Sequence, residues 1–362
     1  NYMFNGCSSL SSLDVSNFTT DKPRMQLDGL FKGCSSLQTL DLSSFSTGLA
    51  SSVTDMFDGC SALRTIYVSD LFTFKNGVSS LNMFRNCENL KGAIDFISQN
   101  KDSKYANYES GYLTKKVGTN GNEIIGATRS PLNIDKLVLD DSKAYTLYED
   151  CNVTSASYAR AMKSEWGTLC LPFTIDPTSE ANTCNFYTLK NIGNESVVLE
   201  LIEKGTVEAG QPVVIRKKDN TQTDILINNA ENAQAVKEPK NTNTGNRLMG
   251  TFTNMELADD CYFIANNQFR LVSNYKPAAS GVKLAAFRAY IQPQEQADVK
   301  HAPSLNISVD EETTSIETSN VLDLLNDKEA EYYDVNGSRI QNLQKGINIV
   351  KKGNKTMKIV CR

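Results

Sequence analysis

The sequence predicts a mixed fold in three parts: an N-terminal α/β solenoid of stacked repeats, an all-β sandwich-like domain and a small C-terminal β-module. Three observations predict it. The phrase MFDGCSAL at residues 56–63 has three close copies at a nearly fixed spacing. Short, alternating apolar runs separated by turn residues begin near residue 134. Three further strand signals, separated by glycine-containing turns, close the chain.

Four cysteines mark the period of the repeats. The copies read MFNGCSSL, LFKGCSSL, MFDGCSAL and MFRNCENL, and their cysteines are Cys7, Cys34, Cys60 and Cys87. The cysteines are 27, 26 and 27 residues apart. Repeats of this length stack so that each unit buries its apolar face against its neighbours. After each predicted strand a loop should lead back to the next copy, and a phenylalanine in that loop should pack into the core of the stack. These phenylalanines are Phe18, Phe45 and Phe72.

Each repeat is predicted to contain a short helix and a short strand. Val53, Met56, Phe57 and Cys60 have the i, i+3, i+4, i+7 spacing of one helical face. Gly59 stands where that helix should stop, because glycine adopts the left-handed cap conformation at little cost. The segment LRTIYVS at residues 63–69 then alternates as a strand does.

The repeats resemble the BspA-like leucine-rich repeats of bacterial surface proteins. The pattern MFxGCSSL followed by LxLSxF is matched closely by the second and third copies, and the resemblance covers about residues 1–97. It implies a leucine-rich-repeat solenoid whose parallel sheet binds host proteins, matrix proteins or other cells. The fourth copy continues as KGAIDFI and is expected to be a terminal cap.

The repeat cysteines leave two alternatives open. They recur once per copy rather than in CxxC pairs, which favours a ladder of buried thiols acting as small hydrophobes. Disulfides between adjacent repeats are the alternative, because the spacing between stacked units would allow them. Disulfides among Cys151, Cys170, Cys184, Cys261 and Cys361 also stay open.

The remaining chain carries two further resemblances. The first is carried by three scattered motifs: Trp166, Leu169, Pro172 and Phe173, then GQPVVI at 210–215, then FRAY at 287–290. Together they resemble a β-domain common in secreted proteins of anaerobic Gram-negative gut commensals. The elements YDVNG at 333–337 and KGINIV at 345–350 resemble a C-terminal β-module of secreted proteins from the same bacteria. The expected domains are 1–100 for the repeats with their cap, 101–133 for a cap extension and linker, 134–308 for the sandwich-like domain, 309–320 for a linker and 321–362 for the C-terminal module.

Composition and motifs argue against several functions. The net charge of −5 argues against nucleic acid as a partner, since its binding usually needs a basic field. The sequence has no apolar run long enough for a transmembrane helix. The single histidine, His301, cannot form a multi-histidine zinc site and lies in a polar stretch typical of a loop. No nucleophile-elbow, phosphate-loop, dinucleotide or zinc-protease motif is present, so we expect no enzyme, no cofactor and no metal.

Two residue types that could suggest chemistry have simpler interpretations. The acidic pairs Asp140-Asp141 and Asp259-Asp260 are typical of solvated turns. The only tryptophan, Trp166, could stack on a sugar, but its place beside an apolar run favours core packing.

One candidate binding surface follows from the repeat pattern. Residues that alternate with the inward-facing ones should point outward from the predicted repeat sheet. Solenoids commonly bind partners on such a face. We predict a binding site there, formed by Asp14, Thr39, Asp41, Thr65 and Tyr67.

The sequence therefore predicts a non-catalytic binding protein, an adhesin or recognition protein, located outside the cell or on its surface. Its partner would be an extracellular protein or glycan. Because Asn1 falls inside a repeat copy, we expect the chain to be a piece of a longer protein whose targeting signal lies outside it. An accessory or spacer region of a larger extracellular enzyme or surface assembly is the alternative.

Overall fold

The computed structural model describes residues 1–241, 247–275, 281–292, 302–310, 331–334, 338–341, 343, 346–352 and 355–361. The chain divides into two compact units, Asn1–Val309 and Asp310–Arg362, which are described separately below. His301 lies outside the described residues, and so does Asn336-Gly337, a pair that is typical of a hairpin turn between two strands.

The predicted α/β leucine-rich-repeat solenoid is wrong. Throughout the described residues there is no α-helix, and the MFxGC segments that carried the helical spacing form consecutive turns. The regular structure is strand and two single turns of 3₁₀-helix. The fold of the described chain is therefore essentially all β.

The backbone hydrogen bonds explain why these segments are not helices. In the third copy, the Asp58 amide donates to the Asp55 carbonyl three residues back, at 3.1 Å, but the Phe57 amide donates to Met83 in the next copy, at 2.9 Å. A helix needs each amide to donate to a carbonyl four residues back in its own segment. Asp55 and Gly59 also have positive φ values of 56° and 77°, which interrupt a right-handed helix. Lateral bonds between copies thus replace the helical ones.

The four copies stack on one another through their phenylalanines. Adjacent rings are nearly parallel, with centroid separations of 5.8 Å for Phe4 and Phe31, 5.6 Å for Phe31 and Phe57, and 5.6 Å for Phe57 and Phe84. Phe31, Phe57 and Phe84 are fully buried, whereas Phe4 in the first copy is only partly buried. We call this arrangement the repeat stack, residues 1–97.

Only short strands form in the repeat stack. β1 pairs with β3 and β2 pairs with β4, both in parallel. Residues 11–15 of the first copy form no strand. The strands are β1 Met25–Gln26, β2 Thr39–Asp41, β3 Ala50–Ser52 and β4 Thr65–Val68.

An ordered ladder of alternating charge also joins the copies. Lys32, Asp58 and Arg85 occupy the same position of the MFxG phrase in successive copies. The Lys32 ammonium lies 3.1 Å from Asp58, and Arg85 Nε donates to the same carboxylate at 2.9 Å. Hydrogen bonds from Arg85, together with Lys32, outweigh burial and hold the pKa of Asp58 below its usual value.

Residues 101–133, expected to be a cap extension and linker, instead continue the sheet of the repeat stack. β4 pairs in parallel with a strand of this segment, Tyr67 being opposite Thr114 and Val68 opposite Lys115. The buried Lys115 ammonium reaches Asp70 at 2.9 Å and Glu149 at 2.8 Å. The elements here are a 3₁₀ turn at Ser103–Tyr105, β5 Thr114–Asn120, β6 Glu123–Ala127 and, completing this five-stranded sheet, β8 Tyr145–Leu147.

A four-stranded sheet lies next along the chain. Its central strand, β9, pairs in parallel with β7 and antiparallel with β14 and β15. β6 and β7 are connected by a bridge between Thr128 and Asn133. The strands of this sheet are β7 Asn133–Asp140, β9 Cys151–Ala161, β14 Asp224–Asn228 and β15 Ala233–Ala235.

A nine-stranded sheet completes the first unit, and only its β12–β22 pairing is parallel. A separate antiparallel pair joins β17 and β20. The remaining elements are β10 Trp166–Cys170, β11 Cys184–Ile192, β12 Ser196–Leu201, β13 Pro212–Lys217, β16 Leu248–Thr251, β17 Met255–Glu256, β18 Tyr262–Ala265, β19 Gln268–Leu271, a 3₁₀ turn at Val272–Asn274, β20 Lys283–Leu284, β21 Arg288–Ile291 and β22 Ser304–Val309.

Both faces of the nine-stranded sheet are apolar. On β13, Val213 and Ile215 join one buried cluster, while Val214 between them joins another that contains Trp166. The first cluster is shared with β5 to β9. Burial on both faces explains why these strands contain continuous apolar runs instead of a strict alternation.

The scattered motifs of this region pack together. The Thr168 hydroxyl donates to the Ala289 carbonyl at 2.6 Å, and the Cys170 amide donates to the Phe287 carbonyl at 3.1 Å. The motifs around 166–173 and 287–290 therefore pack together in the same part of the hydrophobic core. Trp166 is buried there, with the Arg216 guanidinium 5.3 Å from its ring centroid.

The second unit contains a four-stranded antiparallel sheet in the order β24-β23-β25-β26. Asn348 and Val350 on β25 are buried. The strands are β23 Glu331–Tyr333, β24 Arg339–Ile340, β25 Gly346–Lys352 and β26 Lys355–Cys361.

Candidate binding site on the repeat sheet

Four of the five predicted site residues lie together on two paired strands. In the parallel β2–β4 pair, Thr39 is opposite Thr65 and Asp41 is opposite Tyr67. Leu40 and Ile66, which alternate with them, are buried. Alternation along each strand therefore points the four side chains to the opposite face, which we call the sheet face. Thr39 is exposed, and the other three are partly exposed.

Asp14 is not part of this paired array. It is exposed in a segment that forms no strand, and its carboxylate accepts the Ser16 amide at 2.9 Å. Hydrogen bonds from Ser16 hold the pKa of Asp14 below its usual value, against a small effect of burial. Asp41 accepts the Ser43 amide at the same distance. Both aspartates therefore close local turns, as aspartate commonly does.

Asp41 also forms an ion pair with a residue far along the chain. Its carboxylate accepts a hydrogen bond from the Lys116 ammonium at 2.7 Å. Burial raises the pKa of Asp41, but the hydrogen bonds from Lys116 and Ser43 outweigh it, so the net pKa is lowered. Asp41 is therefore a charged and already paired group at neutral pH.

Tyr67 is positioned by a glycine of the neighbouring strand. A Cβ at Gly126 would lie 2.9 Å from Tyr67 Cε1 and would also collide with the Thr114 methyl group. The ring thus lies in space that only glycine leaves open. Burial, and secondarily Asp41, raises the pKa of Tyr67, so its hydroxyl stays protonated at neutral pH.

The sheet face opens into a groove of about 280 Å³. Thr65 and Tyr67 contribute to its lining, and most of the other lining residues come from β5, β6 and β7. Sequence reasoning missed these residues because only the β4–β5 pairing brings them here. No local pattern in the sequence signals this contribution, which comes from Thr114, Ile124, Gly126, Thr128, Asn133, Asp135 and Lys136, with Lys91 and Gly92 from the fourth repeat copy.

The eight cysteines from Cys7 to Cys261 are free thiols. The Cys60 thiol donates to the Phe31 carbonyl, and the Cys87 thiol donates to the Phe57 carbonyl, each at 3.0 Å and each in the preceding copy. Burial raises the pKa of Cys60 to about 12. Among residues that the structure describes, no group of three or more His, Cys, Asp or Glu side chains is arranged to hold a metal ion.

The expected solvated turn at Asp140-Asp141 contains a structural ion pair. Arg288 donates to both Asp141 oxygens, and its Nη1 also donates to the Tyr158 hydroxyl at 2.7 Å. Asp141 is thereby tied to the FRAY strand. This arrangement stabilises the core and pairs the Asp141 carboxylate with a cation.

Comparison with protein families gives a match over the repeats. Residues 1–97 match a family described as "Mycoplasma protein of unknown function, DUF285". The match covers the repeat stack and does not extend to the β-domains. No curated protein and no solved structure matches the chain. In the described residues, no helix is long and apolar enough to cross a membrane.

Proposed function

We propose that this chain is a non-catalytic binding protein, an adhesin or recognition protein, that acts outside the cell or on its surface. It would hold an extracellular macromolecule on the sheet face. The observation that carries the proposal is the array of Thr39, Thr65 and Tyr67, which is held rigid from behind by buried Leu40 and Ile66. The BspA-like pattern of the repeats supports a place among surface proteins.

The ionisable groups of the sheet face favour binding over catalysis. A general acid or base works best when its pKa lies near the operating pH. The pKa of Asp41 is lowered and that of Tyr67 is raised, so neither exchanges a proton readily at neutral pH. Asp41 is also held in its pair with Lys116.

A rigid, half-exposed surface of this kind suits recognition. Binding costs less when the side chains are already fixed, because less conformational freedom is lost on association. Tyr67 is held against Gly126, and Asp41 is held by Lys116. Tyrosine contributes a large contact area for the loss of only two side-chain torsions.

The proposal is tested by blocking the sheet face with arginine. The full chain is immobilised and screened by surface plasmon resonance against extracellular matrix proteins and glycans, beside a Thr39→Arg/Thr65→Arg variant. A Thr223→Arg/Thr253→Arg variant is the matched control, because both of its threonines are exposed and its charge change is the same.

We expect at least one probe to bind the parent chain and the control, and to bind the sheet-face variant at least about tenfold more weakly. Equal binding by the two variants would show that the sheet face is not the site. If the parent chain bound none of the probes, the alternative role as a spacer in a larger assembly would be favoured.

A further inference from the structure

Two grooves on the first unit meet at one shared residue. The groove of about 280 Å³ beside the sheet face and a second groove of about 440 Å³ are both lined by Asn133. Asn152, Thr154 and Asn232 line the second groove. We call the two together the polar trough.

Strand pairing shows how the trough crosses the fold. It begins at β4, passes β5 and β6, and reaches β7 through the Thr128–Asn133 bridge. It continues to β9, where Asn133 is opposite Asn152, and to β15. Five strand steps of about 4.8 Å give a length of roughly 24 Å. An extended chain fits this shape better than a compact small molecule does.

The trough is rich in uncharged polar groups and its charges are largely balanced. Asp135 faces Arg129 at 3.3 Å, and Lys91 faces Asp95 at 3.5 Å. An acidic ligand would need an excess of cations, as phosphate and sulfate sites show. Hydroxyl and amide groups can both donate and accept hydrogen bonds, which is what a chain of sugar hydroxyls requires.

The junction of the two grooves is fixed in place. Asn133 Nδ2 donates to Thr154 Oγ1 at 2.9 Å and to Asp135 Oδ1 at 3.1 Å. Its amide is therefore oriented before any ligand arrives. At one end, the Tyr67 ring is positioned against Gly126 and offers an aromatic surface with a polar tip.

Peptide ligands usually use an open strand edge or apolar pockets. The trough crosses its strands, whereas a peptide that adds to a sheet must run alongside the edge of a single strand. The lining residues include few apolar side chains, which are those of Ile124, Val153 and Ala233, and Val153 is buried. The chemistry therefore favours a carbohydrate over a peptide.

We infer that the polar trough binds a linear, neutral oligosaccharide, with Tyr67 stacking on one sugar ring and the asparagines bonding sugar hydroxyls further along. The inference rests on the proposed function, because the sheet face is one end of the trough. It narrows the ligand to neutral glycans and extends the site to β9 and β15.

The experiment measures binding of the full chain to cellohexaose, xylohexaose, mannohexaose and maltohexaose, and to the matching disaccharides, by calorimetry and saturation-transfer NMR. The variants are Tyr67→Ala at the β4 end of the trough and Thr154→Arg in its second groove. Tyr148→Ala and Thr223→Arg are the controls, because Tyr148 and Thr223 are exposed and line neither groove.

We expect at least one hexasaccharide to bind about tenfold more tightly than its disaccharide. Both trough variants should weaken that binding at least about fivefold, while the controls retain it. Thr154→Arg keeps the test decisive if Tyr67→Ala unfolds, since Thr154 is exposed.

Absence of binding by every hexasaccharide at millimolar concentration would overturn the inference, as would binding that neither trough variant weakens. The chain could instead bind a protein partner that the Thr39→Arg/Thr65→Arg variant no longer binds, while binding no sugar. That result would support the proposed function and overturn only the inference that the ligand is a glycan. Failure of both experiments would overturn both.

Discussion

The Cys60 thiol donates a hydrogen bond of 3.0 Å to the carbonyl oxygen of Phe31, which lies 29 residues earlier in the preceding repeat. Cys34 does the same to Phe4 at 3.2 Å. Each thiol thus lies at the point where one copy packs on the next. Cys60 and Cys34 are fully buried, whereas Cys7 of the first copy is exposed.

This burial predicts a sharp difference in thiol reactivity. Only the thiolate reacts with an alkylating agent, and a buried thiol is both protonated and inaccessible. We expect iodoacetamide to label Cys7 in the folded chain and to label Cys34, Cys60 and Cys87 only after denaturation. Peptide mapping by mass spectrometry measures this. Labelling of Cys60 at the rate of Cys7 under native conditions would contradict the described packing.

The same thiol predicts a loss of stability at alkaline pH. Burial raises the pKa of Cys60 from 9.0 to about 12, so between these values the unfolded chain loses a proton that the folded chain keeps. The free energy of unfolding therefore falls as pH rises through this window, by up to about 1.4 kcal/mol per pH unit for this group.

A Cys60→Ser variant isolates that contribution. Its hydroxyl does not titrate in this range, so its stability should fall less steeply with pH than that of the parent chain. Urea denaturation followed by circular dichroism gives both slopes. Cys7→Ser is the control, because Cys7 is exposed and lies outside the buried ladder of thiols. Parallel curves for the parent and Cys60→Ser would refute the assignment.

Asp58 is predicted to stabilise the repeat stack through its two cationic neighbours. It is buried and accepts charge-assisted hydrogen bonds from Arg85 and Lys32. Asp58→Asn should lower stability by about 2 kcal/mol at neutral pH. Because the folded pKa of Asp58 is lowered, this stabilisation is present above the unfolded pKa and is lost as pH falls through the folded pKa.

Asp95→Asn is the matched control, since Asp95 and its partner Lys91 are both largely exposed. Its effect should stay below about 0.5 kcal/mol. Hydrogen exchange of the amides in residues 53–60 measures both variants locally. Equal protection in Asp58→Asn and Asp95→Asn would show that the ladder of alternating charge contributes nothing.

Arg288 is predicted to stabilise the β-domain by holding Asp141 and Tyr158. Arg288→Met leaves a partly buried carboxylate without its cation and should cost about 2 kcal/mol. Tyr158→Phe keeps the ion pair and should cost about 1 kcal/mol. Fluorescence of Trp166 reports the unfolding, because it is the only tryptophan and is buried in this domain.

Arg129→Met serves as the control for the Arg288 variant. Arg129 pairs with Asp135 at 3.3 Å, but both side chains are more than half exposed. Its loss should cost less than about 0.5 kcal/mol. If the two methionine variants unfolded at the same urea concentration, the buried pair would have no special role.

The sequence alone correctly marked the buried residues of the third repeat copy, although Cys7 of the first copy, expected in the same ladder of buried thiols, is exposed. Met56, Phe57 and Cys60 were selected from spacing, and all are fully buried. The spacing did not reveal the backbone conformation, because consecutive turns can direct the same residues inward as a helix does. The deciding facts are the bond from the Phe57 amide to Met83 and the positive φ of Asp55, and neither is visible in a single copy.

The candidate site divides in the same way. The sequence by itself determined that Thr39, Asp41, Thr65 and Tyr67 share one face, because alternation along a strand is a local property. Only the tertiary structure decided that Lys116 pairs with Asp41, that Gly126 makes room for Tyr67 and that Asn133 joins the two grooves. Those contacts depend on which strand lies beside which, and strand pairing between distant segments is fixed by the packing of the whole core, which no local pattern encodes.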